Sequence, residues 1–344
     1  MASSTGYNKY VIKQYSQLEY LHGGVGYVDA ERILIKEGFQ KIEFPRHDSF
    51  TPVAKLDRLR YLLRQSISIR KDSIFVFLFP VYSKAARLLI QRLMKKGVRC
   101  ICYLADINGI KDGDPKGLEE EISFLKQFQY FIIHNAGMRA WLDSVIPGNV
   151  AEEINFFDFL AKPEQTHRVL SNEIVFAGNL AKSPFLDKLH LLKDTPLLFN
   201  VYGPGGTAAL EEQKNVNWQG TFPPYQLPSK LKGSFGLLWD DACIDKPCGH
   251  YGAYMPYISH HKLSLYILGR LPIIVPAIAG SAPLIEKYGI GFAINSLYEI
   301  PQKINSLTES RYLQMQDNMN ALAIEISQGQ RLKGALDRLL PKIN

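Results

Sequence analysis

Short, mainly apolar segments alternate with amphipathic helical stretches along almost the whole chain, and this alternation restricts the fold more than any other feature. In the first half the apolar segments are SIFVFLFP (73–80), VRCICYL (98–104) and YFIIH (130–134). In the second half they are EIVFAG (173–178), LLFNVYG (197–203), SFGLLW (234–239), LPIIVP (271–276) and GFAI (291–294). Strands that are apolar on both faces and joined by helices indicate parallel sheets covered on each side.

One series of alternating strands and helices in each half of the chain predicts two domains. The length agrees, because 344 residues exceed what one hydrophobic core usually organises. The segment FFDFLAKPEQTHRVLSN (156–172) breaks the period and is the predicted linker. We therefore expect an α/β fold of two doubly wound, Rossmann-like parallel-sheet domains that face a cleft, with boundaries at 1–165 and 166–325. A terminal helix (326–344), interrupted near Gly329, is expected to cross back to the first domain.

The positive charge of the chain is concentrated at its N-terminal end. The net charge is +7, and residues 1–100 hold 18 Lys and Arg against 8 Asp and Glu, whereas the remainder holds 22 against 25. The excess lies in AKLDRLRYLLRQSISIRK and SKAARLLIQRLMKKGVR, which are predicted as helices with basic polar faces. Such faces suit an anionic membrane surface, and the alternative is a pair of solvated helix faces. No nucleic-acid-binding motif is present, so we expect no nucleic-acid partner.

No apolar run reaches the roughly 18–20 residues that span a bilayer, and the N-terminus has no apolar segment typical of a signal peptide. We expect a cytoplasmic protein, peripheral on the inner face of the cell membrane. The pair Cys243 and Cys248 hints at a metal or redox site, but no second Cys/His pair matches it. We expect reduced loop thiols and no metal.

Ligands of open parallel sheets bind beyond the carboxyl ends of the strands, so the loops that follow strands are the candidate sites. In GNLAKSPFL a strand ends at Gly178, Ser183 and Pro184 suit a helix start, and Lys182 lies beside the exposed amides. The functional interpretation is a phosphate contact, and the alternative is an ordinary turn with a surface lysine. The turn at Gly280 and Ser281 opens another helix whose amides suit a second anionic group.

Lys262 lies in the first turn of the helix predicted in HHKLSLYILGRL, where a cation opposes the helix dipole. An anion between the lysine and the helix start would remove this conflict, whereas a solvated lysine at a frayed end would cost little. The preceding loop is long and rich in Asp, His and Tyr. There Tyr251, Tyr254 and Tyr257 could stack on a base or sugar, and Asp240 and Asp241 could bond hydroxyls.

Two candidate bases lie in the first half. Asp106 follows the 98–104 strand, where a general base would face the cleft, and the alternative is a turn aspartate. His22 precedes the glycines of LHGGVGYVDAERIL; Gly23, Gly24 and Gly26 do not match G-x-G-x-x-G but permit close backbone approach to a ligand.

The C-terminal half resembles the donor-binding half of GT-B glycosyltransferases. The residues that carry the resemblance are SFGLLWD, Tyr257, HKLSLYILGRLPIIV and LIEKYGIGFAI, together with IVFAGNLAKSPFL at the start of the second domain. Within GT-B enzymes the chain is similar to the group of bacterial β-1,6-galactofuranosyltransferases and streptococcal adhesin glucosyltransferases. LADINGIKDGDP resembles the His-Asp loop of this group, with Ala105 in place of the histidine.

The resemblance implies sugar transfer from a UDP-sugar to a hydroxyl of a glycan acceptor without a bound metal. Lys262 and Lys182 would neutralise the diphosphate, the leaving group. The first glutamate common in retaining GT-B enzymes is missing from SHHKLS, although Glu286 matches the later one. The missing glutamate and the likeness to galactofuranosyltransferases favour inversion with Asp106 as base. The predicted donor set is Gly178, Asn179, Lys182, Ser183, Tyr202, Asp240, Tyr257, His261, Lys262, Leu263, Gly280 and Ser281, with His260 and His261 as donor contacts or polar cap residues.

We therefore expect a bacterial hexosyltransferase of surface-polysaccharide synthesis that uses UDP-galactofuranose, with UDP-glucose as the second choice. Its acceptor would be a lipid-linked or protein-linked glycan, and the chain could form a homodimer. The alternatives are a glucosyltransferase acting on a glycoprotein, a UDP-sugar-binding subunit without catalysis, and a sugar-nucleotide epimerase.

Overall fold

Two six-stranded, wholly parallel sheets form the framework of the protein in a computed structural model, which describes residues 8–14, 24–45, 49, 51–240 and 242–343. The first sheet has the order β2-β1-β3-β4-β5-β6. Its strands are β1 (Lys9–Lys13), β2 (Gln40–Glu43), β3 (Ile74–Phe79), β4 (Arg99–Leu104), β5 (Tyr130–Ile133) and β6 (Val150–Glu153). Its helices are α1 (Val25–Lys36), α2 (Pro52–Ser68), α3 (Lys84–Lys95), α4 (Asn108–Lys111), α5 (Pro115–Leu125) and α6 (Ala136–Val145).

The second sheet has the order β12-β11-β10-β7-β8-β9. Its strands are β7 (Glu173–Ala177), β8 (Leu198–Tyr202), β9 (Val216–Trp218), β10 (Phe235–Leu237), β11 (Ile273–Pro276) and β12 (Gly291–Ile294). The later helices are α7 (Ala208–Glu211), α8 (Gly249–Tyr254), α9 (His261–Leu268), α10 (Ala282–Tyr288), α11 (Ile300–Asn305), α12 (Glu309–Ser327) and α13 (Gln330–Leu339). Short 3₁₀ helices lie at Leu180–Lys182, Pro184–Leu192, Pro224–Ser229, Leu297–Glu299 and Leu340–Lys342.

The predicted two-domain α/β fold is confirmed, and the burial of the central strands explains why their apolar segments predicted it. All residues of β3 are buried, as are all of β5, because helices cover both faces of the sheet. The sequence pattern did not reveal β1, β2, β6 and β9, which are short and carry polar or charged residues such as Lys9, Lys13 and Gln40.

The last helix, α13, packs against the first sheet. Leu332, Ala335, Leu336 and Leu339 are buried in the same apolar cluster as residues of β1, β3 and α1. The chain turns there at Gly329, whose φ of 78° favours glycine, and a Cβ at this position would lie 2.7 Å from Ile33. Asp158, in the 154–172 connection, accepts bonds from the amides of Arg331 and Leu332 and so caps α13.

One expectation about the cysteines was wrong. Cys243 and Cys248 form a disulfide rather than two reduced thiols, because the loop after β10 folds back and places their Cα atoms 5.9 Å apart, within the range for a bridge. Cys100 and Cys102 are free and buried on β4. No helix in the described ranges is both long and apolar enough to cross a membrane.

Candidate functional site

The carboxyl edges of the two sheets meet, and three pairs of residues show the contact. The Tyr254 hydroxyl lies 3.1 Å from the Asp106 carboxylate, and the Asn135 amide donates to the Ser259 hydroxyl over 3.2 Å. A Cβ placed on Gly26, in the first turn of α1, would lie 3.1 Å from the His261 ring, at the start of α9. The loops where ligands of such sheets bind therefore come together between the domains.

Lys262 lies where the strand order of the second sheet reverses, between β7 and β10. Its Nζ is 3.1 Å from Asp240 Oδ1 and 4.4 Å from the centroid of the Phe176 ring. The lysine side chain is only 14% exposed, so it is not a solvated lysine at a frayed helix end. The conflict with the helix dipole is offset inside the chain, because Asp240 supplies an anion next to the lysine.

Asp240 is held by two basic side chains. His260 Nε2 lies 3.1 Å from Asp240 Oδ2, opposite the Lys262 contact. Burial alone would raise the pKa of Asp240, but the Lys262 charge and the His260 hydrogen bond outweigh it and lower the pKa to about 2. An anionic ligand at Lys262 would therefore compete with Asp240 for the lysine. His260 would remain in contact with the Asp240 carboxylate when the ligand binds.

The glycine loop after β7 lies beside this cluster. A Cβ on Gly178 would come within 3.9 Å of Lys262 Nζ. The helix predicted to start at Ser183 and Pro184 is a 3₁₀ helix, and Ser183 Oγ donates to the Asn179 carbonyl instead of capping it. Asn179 caps the preceding short turn through the amide of Ala181, and Lys182 is exposed.

Several residues of the predicted donor set have side chains committed elsewhere. Tyr202 is buried, and its hydroxyl bonds the carbonyl of Lys230 and the amide of Lys232. Leu263 is wholly buried in the core of the second domain. Tyr257 packs against the apolar cluster of the first domain, so it is not placed as a free stacking platform.

The Gly280–Ser281 turn also meets the first domain. A Cβ on Gly280 would lie 2.1 Å from the carbonyl of Pro256 and 2.8 Å from Asn135 Nδ2, and the Gly280 amide donates to Met255. Within the described part of the chain, Ser281 Oγ is buried without a hydrogen-bond partner. This unpaired hydroxyl is the feature of the turn that fits a ligand contact.

Asp106 follows β4 and is surrounded by donors from both domains. It accepts hydrogen bonds from the hydroxyls of Tyr27, over 2.7 Å, and of Tyr254, over 3.1 Å, and Lys111 Nζ lies 3.3 Å away. The Tyr254 hydroxyl in turn accepts from the amide of Ile107. These contacts hold the carboxylate in one orientation, as a base requires.

The other predicted residues of the first domain are only partly described. His22 and Gly23 lie outside the described residues. Gly24 precedes α1 with a φ of 106°, which favours glycine. Gly26 lies so close to the His261 ring of α9 that a Cβ there would be 3.1 Å from it.

His134, which directly follows β5, was not among the site residues predicted from the sequence. The side chain is fully buried, Nδ1 accepts from the Ser259 amide, and Nε2 has no partner among the described residues. Burial lowers the pKa of His134 to about 4, while the Asp106 charge acts to raise it and the His260 charge to lower it. Through the Ser259 amide, His134 links the carboxyl end of β5 to the residues just before α9. The rule that selected Asp106, a polar residue after an apolar strand, would also have selected His134.

The pKa of His134 leads to a testable effect on stability. As the pH falls, the unfolded chain takes up this proton near pH 6.5 and the folded chain only near pH 4. The stability present above pH 6.5 is therefore lost between pH 6.5 and 4, by up to about 3 kcal/mol at 1.36 kcal/mol per pKa unit. His134→Asn keeps an acceptor for the Ser259 amide but cannot titrate, so its urea-unfolding free energy should approach that of the wild type as the pH falls. The exposed His190→Asn serves as control, and a constant gap between His134→Asn and wild type at pH 7.5 and 4.5 would contradict the assignment.

Metal ligands are not grouped in this part of the molecule. No group of three or more His, Cys, Asp or Glu side chains that could hold a metal ion is found in the described ranges.

Comparison with known proteins assigns the chain to a family. Family models described as Glucosyltransferase 3-like match residues 8–145 with the N-terminal domain and 174–339 with the C-terminal domain. The β-1,6-galactofuranosyltransferase WbbI of Escherichia coli (strain K12) is 25% identical over 280 residues, 79% of this chain and 80% of that protein. Glucosyltransferase 3 of Streptococcus gordonii is 28% identical over 160 residues, 46% of this chain and 45% of that protein.

Solved structures agree on the fold. A sucrose-phosphate synthase from Thermosynechococcus elongatus superposes with a TM-score of 0.67 at 11% identity, over 98% of this chain and all of that one. Anabaena HepE, solved in complex with UDP and glucose, superposes with a TM-score of 0.62 at 12% identity, over 94% of this chain and 98% of that one. The chain therefore belongs to the glucosyltransferase 3-like family and is a hexosyltransferase of GT-B architecture.

Proposed function

We propose that this enzyme transfers galactofuranose from UDP-galactofuranose to a hydroxyl of a glycan acceptor in bacterial surface-polysaccharide synthesis. The observation that carries the proposal is that a largely buried cation of the second domain and an oriented carboxylate of the first lie at the carboxyl edges of sheets that meet. Lys262 lies at the strand-order reversal of the second sheet, and Asp106 lies at the carboxyl edge of the first. UDP in the related HepE fold and the name of the WbbI relative support the choice of donor.

In the proposed inverting step, Asp106 removes the proton of the attacking acceptor hydroxyl. The hydroxyl oxygen bonds to the anomeric carbon of the sugar as the bond from that carbon to the diphosphate oxygen breaks. UDP leaves with the bonding electron pair, and Lys262, with the exposed Lys182, neutralises the added charge. His134 follows β5 at the same sheet edge, and its buried Nε2, unpaired among the described residues, is a candidate partner for a polar group of the sugar.

A second donor, UDP-glucose, is favoured by the name of the family and of the streptococcal relative. The two donors need the same diphosphate contacts, so the sugar pocket alone would decide between them. We propose a lipid-linked glycan as acceptor, with a protein-linked glycan as the second choice, and no metal cofactor.

A screen of UDP-sugars tests this function. We expect UDP release from UDP-galactofuranose to exceed release from UDP-glucose, to rise when a glycan acceptor is added, and to persist in EDTA because lysines carry the charge stabilisation. Heat-treated protein and Asp106→Asn are the controls. Release only from UDP-glucose would correct the donor, and activity that returns only with added Mn²⁺ or Mg²⁺ would contradict the metal-free scheme.

A further inference from the structure

Helix α2 carries an apolar stripe on its solvent side. The stripe, called here the α2 stripe, consists of Val53, Leu56, Leu59, Leu63 and Ile67, whose exposed fractions range from 40% for Leu63 to 79% for Ile67. Their spacing of three and four residues places them along one face of the helix. Contiguous apolar surface of this kind marks an interaction site more often than ordinary surface does.

The opposite face of α2 is the one that packs on the protein. Ala54 and Leu62 are its buried residues, and Tyr61 stacks edge-on against Phe44 with ring centroids 5.4 Å apart. Lys96, after α3, donates to the carbonyls of Ser66, Ile67 and Ile69 and so closes the end of α2. The helix is thus fixed on the domain with the α2 stripe outward, the reverse of the usual surface helix.

Basic side chains flank the α2 stripe on both sides. On a helical projection Lys55 lies along one border and Arg64 along the other, beside the partly exposed Asp57. Arg60 lies within the stripe, in the row of Val53 and Ile67, and all three basic residues are exposed. The neighbouring α3 adds exposed Lys84, Arg92 and Lys95. An apolar face bordered by Lys and Arg matches a bilayer with anionic headgroups. Two copies paired through the α2 stripe would instead bring these cations together at their contact.

We propose that α2 lies in the plane of an anionic bilayer surface, with the α2 stripe among the acyl chains and Lys55, Arg60 and Arg64 at the headgroups. The helix follows the carboxyl end of β2, at the sheet edge that also carries Asp106 and His134. A molecule bound in this way holds the first-domain side of the site against the membrane. This surface belongs to α2 alone, and its membrane contact does not depend on which sugar is transferred.

Flotation with vesicles tests the proposal on the full chain. Wild-type protein should float with vesicles of phosphatidylglycerol and phosphatidylcholine at low salt, and much less with phosphatidylcholine alone. Leu56→Ser/Leu63→Ser/Ile67→Ser should lower the partition coefficient by at least about tenfold, since three apolar side chains no longer insert. Arg60→Gln/Arg64→Gln should lower it by about tenfold or more at low salt, with little difference at high salt. Ile324→Ser, an exposed apolar residue on α12, should bind as the wild type does.

Light scattering and turnover of a soluble acceptor are measured on every variant. Binding of the triple serine variant equal to wild type would overturn the proposal. A second result would also overturn it: the wild type does not float, and the serine substitutions convert a dimer to a monomer. The α2 stripe would then join two copies of the chain. If the protein turns over a UDP-sugar but does not float, only the proposed membrane surface is refuted. If it floats but turns over no UDP-sugar, the membrane surface is supported and the proposed donor chemistry is contradicted.

Discussion

Asp106→Asn is expected to slow sugar transfer by about 10²–10⁴-fold, the usual contribution of a general base, while leaving UDP affinity unchanged. Asparagine keeps the size of the side chain and can still accept from the hydroxyls of Tyr27 and Tyr254, but it cannot take a proton. The measurement is kcat for transfer beside the calorimetric Kd for UDP.

The control is Asp112→Asn, an exposed aspartate that follows the same strand and should leave both values unchanged. Tyr27→Phe removes one donor to Asp106 and leaves the carboxylate, so it should lower kcat less than Asp106→Asn does. If Asp106→Asn transfers sugar at the wild-type rate, Asp106 is a turn residue and another group must deprotonate the acceptor.

The sheets could be predicted because their information is local. In β3, β4 and β7 nearly every residue is buried, so an unbroken apolar run was sufficient. β1 and β2 pair through backbone bonds, and charged residues at their ends leave too few apolar positions for a run. The 3₁₀ helix after Ser183 had the same cap-and-proline signal as an α-helix, and that signal does not distinguish the two.

The site was predictable one loop at a time but not as an assembly. Asp106 and Gly178 were chosen from their places after strands and Lys262 from its place in the first turn of a helix. The structure puts Asp106 in contact with the second domain and Gly178 beside Lys262. Tyr254 was interpreted as a stacking residue for a ligand, yet it contacts Asp106, a partner 148 residues away in sequence. No local pattern encodes that distance. The anion that the first turn of α9 needed was also found within the chain, as Asp240.

Lys262→Met should raise the Kd for UDP by about 10- to 150-fold, which corresponds to the 1.5–3 kcal/mol of a hydrogen bond to a charged group. Methionine keeps an unbranched apolar side chain but removes the charged Nζ, which lies over the Phe176 ring and donates to Asp240. Titration calorimetry at fixed salt gives the affinity. Lys182→Met is the matched comparison; because Lys182 is exposed, its effect should be smaller and should fade as salt is added.

The Asp240 carboxylate complicates the single substitution. Without Lys262, His260 is its one remaining charged partner among the described residues, and the carboxylate would repel a diphosphate. The double variant Asp240→Asn/Lys262→Met separates the two effects. If Lys262 binds the diphosphate directly, the double variant stays weak, since a neutral asparagine supplies no cation. If the loss comes from the uncompensated Asp240, the double variant regains wild-type affinity. A Kd for UDP unchanged in Lys262→Met would remove the lysine from the donor site and leave it as the structural partner of Asp240.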